Sequence, residues 1–69
     1  MTTKKIEITY RIHYQLGGRE SQTWTKLVNA RKALRRTYKR LKASGDLQSA
    51  FIVRSEWVDG RIIREGVCE

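Results

Sequence analysis

A strict alternation of apolar and polar residues near the start of the chain most constrains its fold. From Lys5 to Gln15 every second residue is an isoleucine or a tyrosine, and the residues between them are polar. Because successive side chains of a β-strand point to opposite faces, this pattern predicts a strand with one buried face.

The pair Gly17-Gly18 follows this strand and is expected to form a two-residue turn, since glycine readily adopts the positive φ angles that tight turns require. A returning strand then completes a hairpin over residues 5–24. The register of a two-residue turn places Trp24 opposite Arg11, on the face away from the isoleucines.

The next segment has the period of an amphipathic helix, with an apolar side and a basic side when each residue is advanced by about 100°. We place the helix at about 26–44, with Thr25 or preferably Asn29 as the N-cap and Gly45 as the residue that ends it. The apolar side consists of Leu27, Ala30, Ala33, Leu34, Thr37, Tyr38 and Leu41.

A second hairpin is predicted over residues 50–67, because β-branched and aromatic residues flank the strong turn signal Asp59-Gly60. Its register pairs Trp57 with Ile62 and Glu56 with Ile63. The element order is therefore ββαββ, and a right-handed crossover gives a four-stranded antiparallel sheet of order 2-1-3-4 with the helix on one face. We predict an α+β fold, one small domain over residues 1–69, with a core of Ile6, Ile8, Tyr10, Ile12, Leu34, Tyr38, Leu41, Phe51, Val53, Trp57 and Ile62.

The length of 69 residues allows only one small core, and chains of this size often need a disulfide, a metal ion or a partner chain. The single cysteine, Cys68, cannot form an internal disulfide, and one His with one Cys does not make a zinc site, so no metal or other cofactor is expected. A partner copy remains, and Ile52, Ile63 and Val67, which the predicted register leaves exposed, suggest a homodimer seam.

Two broad classes of protein are disfavoured by the sequence. No apolar run is long enough to cross a membrane and the start does not resemble a signal peptide, so we expect a soluble, intracellular, cytoplasmic protein. His13 lies on the polar side of a strand without a nearby carboxylate pair or nucleophile, and Cys68 is close to the end of the chain. We therefore expect no enzymatic activity and assign no catalytic residue.

The charge of the chain is concentrated in one segment. Lys and Arg number 15 against 7 Asp and Glu, which gives a net charge of +8, and Ser21 to Gly45 contains no acidic residue. Like-charged neighbours at i,i+4 destabilise a helix by roughly 0.2–0.5 kcal/mol per pair, and a face that only aids solubility normally mixes signs. Seven of the basic residues form the polar side of the predicted helix: Arg31, Lys32, Arg35, Arg36, Lys39, Arg40 and Lys42.

We therefore expect a small non-enzymatic nucleic-acid-binding protein of accessory or regulatory type, whose basic helix face contacts the phosphate backbone of DNA or RNA. The alternative is a protein-interaction or inhibitor module that docks on an acidic partner protein, which the same charges would attract. A second surface is predicted on the open face of the sheet, where basic residues beside aromatic ones are suited to stacking single-stranded bases. It comprises Arg11, His13, Trp24 and Arg54.

Overall fold

The computed structural model describes residues 5–68 and confirms the predicted α+β fold. Four antiparallel strands form one sheet of order β2-β1-β3-β4, and a single helix packs on one face. In chain order the elements are β1 (Glu7–Tyr14), β2 (Arg19–Trp24), α1 (Leu27–Ala43), β3 (Ala50–Val58) and β4 (Arg61–Cys68).

Helix α1 begins at Leu27 and ends at Ala43, within one residue of the predicted range of 26–44. Its N-cap is Lys26, which forms no side-chain capping hydrogen bond. The predictions of Thr25 and Asn29 as the N-cap are therefore wrong. The helix begins at Leu27 without a side-chain cap because Leu27 is half-buried, so burial of an apolar residue outweighs the weak cap.

The end of α1 is a Schellman motif, in agreement with the prediction that Gly45 terminates the helix. Gly45 has a φ angle of 75°. Its N–H donates to the carbonyl of Lys42 at 3.2 Å, and the N–H of Asp46 donates to the carbonyl of Leu41 at 2.9 Å. These two bonds satisfy carbonyls that the helix end would otherwise leave unpaired.

Small side chains dominate the contact between helix and sheet. Ala30 is fully buried at 0% exposure, and Ala33 and Ala50 are also buried. Because alanine projects only one methyl group, the helix axis lies close to β1 and β3. The main core cluster contains Ile12, Ala33, Leu41 and Ala50, with Tyr14, Trp24 and Leu34 packed against it.

The first hairpin departs from its predicted register. The turn is formed by residues 15–17 rather than by Gly17-Gly18, and the Tyr14 N–H donates to the carbonyl of Gly18 at 3.0 Å. An irregularity between Arg11 and His13 shifts the pairing further.

The consequence of this shift is that Trp24 pairs with Tyr10 and not with Arg11. Trp24 therefore lies on the helix side of the sheet, where it is half-buried against the core. The prediction of an outward-facing Trp24 is wrong. The mostly polar sequence of β2 has no apolar alternation that reports which way its side chains point.

In strand β3 the side chains that face the helix are the alternate set to the one predicted. Ala50 and Ile52 face the helix opposite Tyr14 and Ile12. Phe51, Val53 and Trp57 lie on the opposite face, where Val53 is nevertheless buried as predicted and the two aromatic residues are half-buried. Both sides of this strand are apolar at its start, so alternation does not identify the buried face.

The second hairpin keeps the predicted pairing of Trp57 with Ile62, but the register shifts beyond it, so that Glu56 pairs with Arg64 rather than with Ile63. Ile63 is thus an extra residue in β4, as expected for a β-bulge. Ile62 is 47% exposed.

Strand β4 forms an edge of the sheet and, among the residues that the structure describes, has no contacts with α1. Ile63 and Val67 are exposed as predicted, whereas Ile52 is buried beneath the helix at 3% exposure. The predicted homodimer seam of these three residues therefore cannot include Ile52. Ile6 and Tyr38, which were predicted to be core residues, are about half exposed.

Candidate functional site

The basic face of α1 is directed away from the sheet into solvent. All seven predicted residues of this face are exposed, and none of the helix residues is acidic. They cover about half of the helix circumference and, from Arg31 to Lys42, about 17 Å of its length at 1.5 Å per residue. The structure thus places the predicted set on one continuous surface, which we call the basic face.

Arg40 belongs to the basic face and forms an ion pair with an acidic residue. Its Nη2 lies 2.9 Å from Glu20 Oε1 and donates to the hydroxyl of Tyr14 at 2.6 Å. The Tyr14 hydroxyl in turn donates to Glu20. These three residues join the helix to the first hairpin.

The ionisation of this triad follows from its hydrogen bonds. The bonds from Tyr14 and Arg40 lower the pKa of Glu20. The same bond to Glu20 raises the pKa of the Tyr14 phenol, with a smaller contribution from desolvation. Near neutral pH the triad therefore consists of a carboxylate, a neutral phenol and a guanidinium, and it holds Arg40 in one position.

A cavity of about 240 Å³ opens between α1 and β2, at the side of the basic face where Arg40 lies. Trp24 and Ile12 provide its apolar wall, while Glu20 and Gln22 lie on the strand side. Arg36 and Arg40 line the helix side, so the basic face and this cavity share two guanidinium groups. We call it the Trp24 pocket.

The Trp24 pocket is the feature that sequence reasoning missed. To predict this pocket, one must know on which face of the sheet the Trp24 side chain lies. That face is set by the length of the turn and by the pairing shift, and not by the composition of β2. The sequence does carry one signal for the correct register, which is the spacing of Tyr14 and Glu20 on either side of a glycine-containing turn. These two residues and Arg40 belong on one face only if the turn is longer than two residues.

The open face of the sheet retains only half of the predicted second surface. Arg11 and His13 are there, and the ring of His13 stacks on Phe51 with centroids 6.0 Å apart. Arg54 pairs with Tyr10 on the helix side of the sheet, so its placement was wrong, as was that of Trp24. Arg54 lies 3.5 Å from Glu56, an ion pair beyond the end of α1.

His13 is held in its neutral form by its surroundings. Desolvation lowers its pKa most, the nearby Arg19 and Arg11 lower it further, and Glu65 acts in the opposite direction. The imidazole lines a cavity of about 190 Å³ that is also lined by Trp57 and Glu65.

Polar groups on this open face are largely satisfied within the sheet. The indole N–H of Trp57 donates to Thr9 Oγ1 at 2.7 Å, and the Ser55 hydroxyl donates to Glu65 at 2.9 Å. The open face therefore presents fewer free donors than the basic face.

Two further observations concern residues 5–68 as a whole. These residues contain no group of three or more His, Cys, Asp and Glu side chains placed to hold a metal ion. No helix in the same range is long and apolar enough to cross a membrane.

Comparisons of the chain with protein-family models, curated proteins and solved structures found no match. A functional argument therefore depends on the residues of the chain itself.

Proposed function

We propose that this chain is a non-enzymatic nucleic-acid-binding protein whose basic face contacts the phosphate backbone of DNA or RNA. The observation that carries the proposal is the exposure of seven basic side chains on one side of a helix without any acidic residue. Among residues 5–68, Lys32, Arg35, Arg36, Lys39 and Lys42 have no carboxylate partner.

The energetic argument is that this row of like charges weakens the helix that bears it. Arg35 lies one helical turn from Lys39, and Lys32 lies one turn from Arg36, so each pair is repulsive. A polyanion relieves this repulsion and releases the counterions condensed on its own phosphates. Binding is therefore expected to weaken steeply as salt concentration rises.

The geometry suits an elongated, regularly charged ligand. The basic face is about 17 Å long. Apart from Arg40, which bonds to Tyr14 and Glu20, it projects from the side of α1 opposite the residues buried against the sheet. The major groove of duplex DNA is about 12 Å wide and admits a single α-helix. Arginine adds bidentate phosphate contacts to this general attraction.

The test is a double charge reversal, K32E/R35E, whose binding to a generic DNA duplex and to an RNA of the same sequence is measured across a salt series. The two glutamates lie one helical turn before Arg36 and Lys39, so each replaces a repulsive i,i+4 pair by an attractive one. The variant should therefore fold at least as well as the parent chain and lose most of its affinity. For the parent chain, log K plotted against log salt should have a slope of about −4 to −5, since each neutralised phosphate contributes about −0.9.

The matched control is K5E/R61E, which changes the net charge by the same amount at exposed positions outside α1. It should retain binding within a few-fold. Equal loss in both variants would mean that net charge and not the basic face determines affinity. Absence of micromolar binding by the parent chain at about 50 mM salt would reject the proposal. Recovery of a stoichiometric acidic protein from nuclease-treated extract would then favour the alternative partner.

A further inference from the structure

We infer that the Trp24 pocket receives one unpaired nucleobase of a single-stranded nucleic acid while the basic face holds the adjoining phosphates. The inference rests on the proposed function and assigns the form of nucleic acid that the site prefers. It follows from the position of the pocket, which shares Arg36 and Arg40 with the basic face.

The size and composition of the pocket suit a base. Its volume of about 240 Å³ is below the range of roughly 300–1,000 Å³ of sites for drug-sized ligands, so it fits a fragment as small as one nucleobase. Trp24 offers an aromatic surface for stacking, which tolerates any base. The amide of Gln22 supplies both a donor and an acceptor for a base edge.

The cations at the rim are placed to hold the phosphates of that nucleotide. Arg40 bonds to Glu20 and Tyr14 through Nη2, which leaves its Nε and Nη1 groups to donate to a phosphate, while Glu20 offsets part of its charge. Arg36 lies one turn earlier on the same side of α1 and has no carboxylate partner among residues 5–68. A base in the pocket therefore leaves its backbone beside two guanidinium groups.

The competing candidate, the cavity on the open face, is less suited to this ligand. Glu65 lies within it without a cationic ion-pair partner among residues 5–68, whereas Glu20, which lines the Trp24 pocket, is paired with Arg40. The Trp57 indole N–H is also already bonded to Thr9. The discriminating measurement is consequently one that separates Trp24 from Trp57.

The experiment compares W24L and W24F for binding to a short single-stranded oligothymidylate and to a DNA duplex of the same length. Leucine keeps apolar packing against the core but removes the stacking surface, whereas phenylalanine retains an aromatic ring. We expect W24L to weaken single-strand binding about tenfold or more, because stacking on an aromatic side chain contributes that much per base. W24F should retain most of the single-strand affinity, and duplex affinity should change less than about twofold in both variants.

A second measurement uses the parent chain and is independent of how the variants fold. The indole N–H resonances of Trp24 and Trp57 are assigned with W57F, and oligothymidylate is then added. A shift confined to Trp24 supports the inference, whereas a shift of Trp57 alone, or of neither, overturns it. If the parent chain binds duplex in a salt-dependent way but the Trp24 resonance does not shift, only the pocket inference is rejected. If the parent chain binds neither oligothymidylate nor duplex, the proposed function is rejected.

Discussion

At the scale of single residues, the side chains that define the site act through partners distant in sequence. Glu20 is separated from Arg40 by 20 positions, yet the two form an ion pair that the Tyr14 hydroxyl completes. The charge of Arg40 is apparent from the sequence, but its fixed orientation is not, because that depends on three elements meeting. The seven basic positions themselves are predictable, since helical spacing alone places them on one side.

The lowered pKa of Glu20 predicts how stability depends on acidity. Because the folded chain binds a proton at Glu20 less readily than the unfolded chain, this residue contributes stability above the unfolded pKa, about 4.3 for a free Glu, and the contribution is lost as pH falls through the folded value. We expect E20Q to flatten the fall in the free energy of unfolding between about pH 5 and pH 3, measured by urea denaturation. E7Q, at the exposed start of β1, is the control, and an equal effect in both would contradict the prediction.

At the scale of elements, the sequence predicts which segments form helix and strands better than it predicts how they pair. The strand alternation in β1, the amphipathic period of α1 and the glycine at its end are each confirmed. The register of the first hairpin is wrong because β2 lacks a one-sided apolar pattern. The register of the second hairpin is correct at Trp57 and Ile62 but shifts beyond them at the extra residue Ile63. In both hairpins the pairing shift inserts residues that alternation does not reveal.

The weak start of α1 predicts a stabilising substitution. Lys26 is the N-cap without a capping hydrogen bond. K26S introduces a side-chain oxygen that accepts from the exposed N–H groups of the first turn, and we expect a gain of about 1 kcal/mol in the free energy of unfolding relative to K26A. The comparison with K26A removes the same charge from both chains, so thermal or urea denaturation isolates the cap. Equal stability of the two variants would show that the helix start is satisfied in another way.

At the scale of the whole molecule, the single helix α1 packs on three of the four strands, β1, β2 and β3. The central strands β1 and β3 are paired on both sides and lie under α1, whereas β4 is paired with β3 alone. The predicted homodimer stays a prediction, and its remaining exposed residues on β4 are Ile63 and Val67. The strand order was predictable because crossovers are right-handed, but the uncovered edge depends on where the helix lies over the sheet.

Because α1 does not cover β4, we predict that β4 is locally less stable than β1 and β3, and amide hydrogen exchange measures this difference. We expect the slowest exchange for the paired amides of β1 and β3, since their opening requires loss of the core around Ile12. The paired amides of β4 should exchange faster, because that strand can detach without disturbing α1. Equal protection of β4 and β3 in dilute solution would contradict this order, and protection that increases with protein concentration would indicate that a second copy covers the edge.

The turn of the first hairpin has a consequence for which mutations the site tolerates. Adding or removing one residue between Gln15 and Gly18 would reverse the side of the sheet on which each later β2 side chain lies, as long as the pairing beyond the turn adjusts in step. Thr23 after an insertion, or Thr25 after a deletion, would then take the place of Trp24 opposite Tyr10. A change in the length of this turn is therefore expected to alter the preference between single-stranded and duplex ligands without replacing any residue of the pocket.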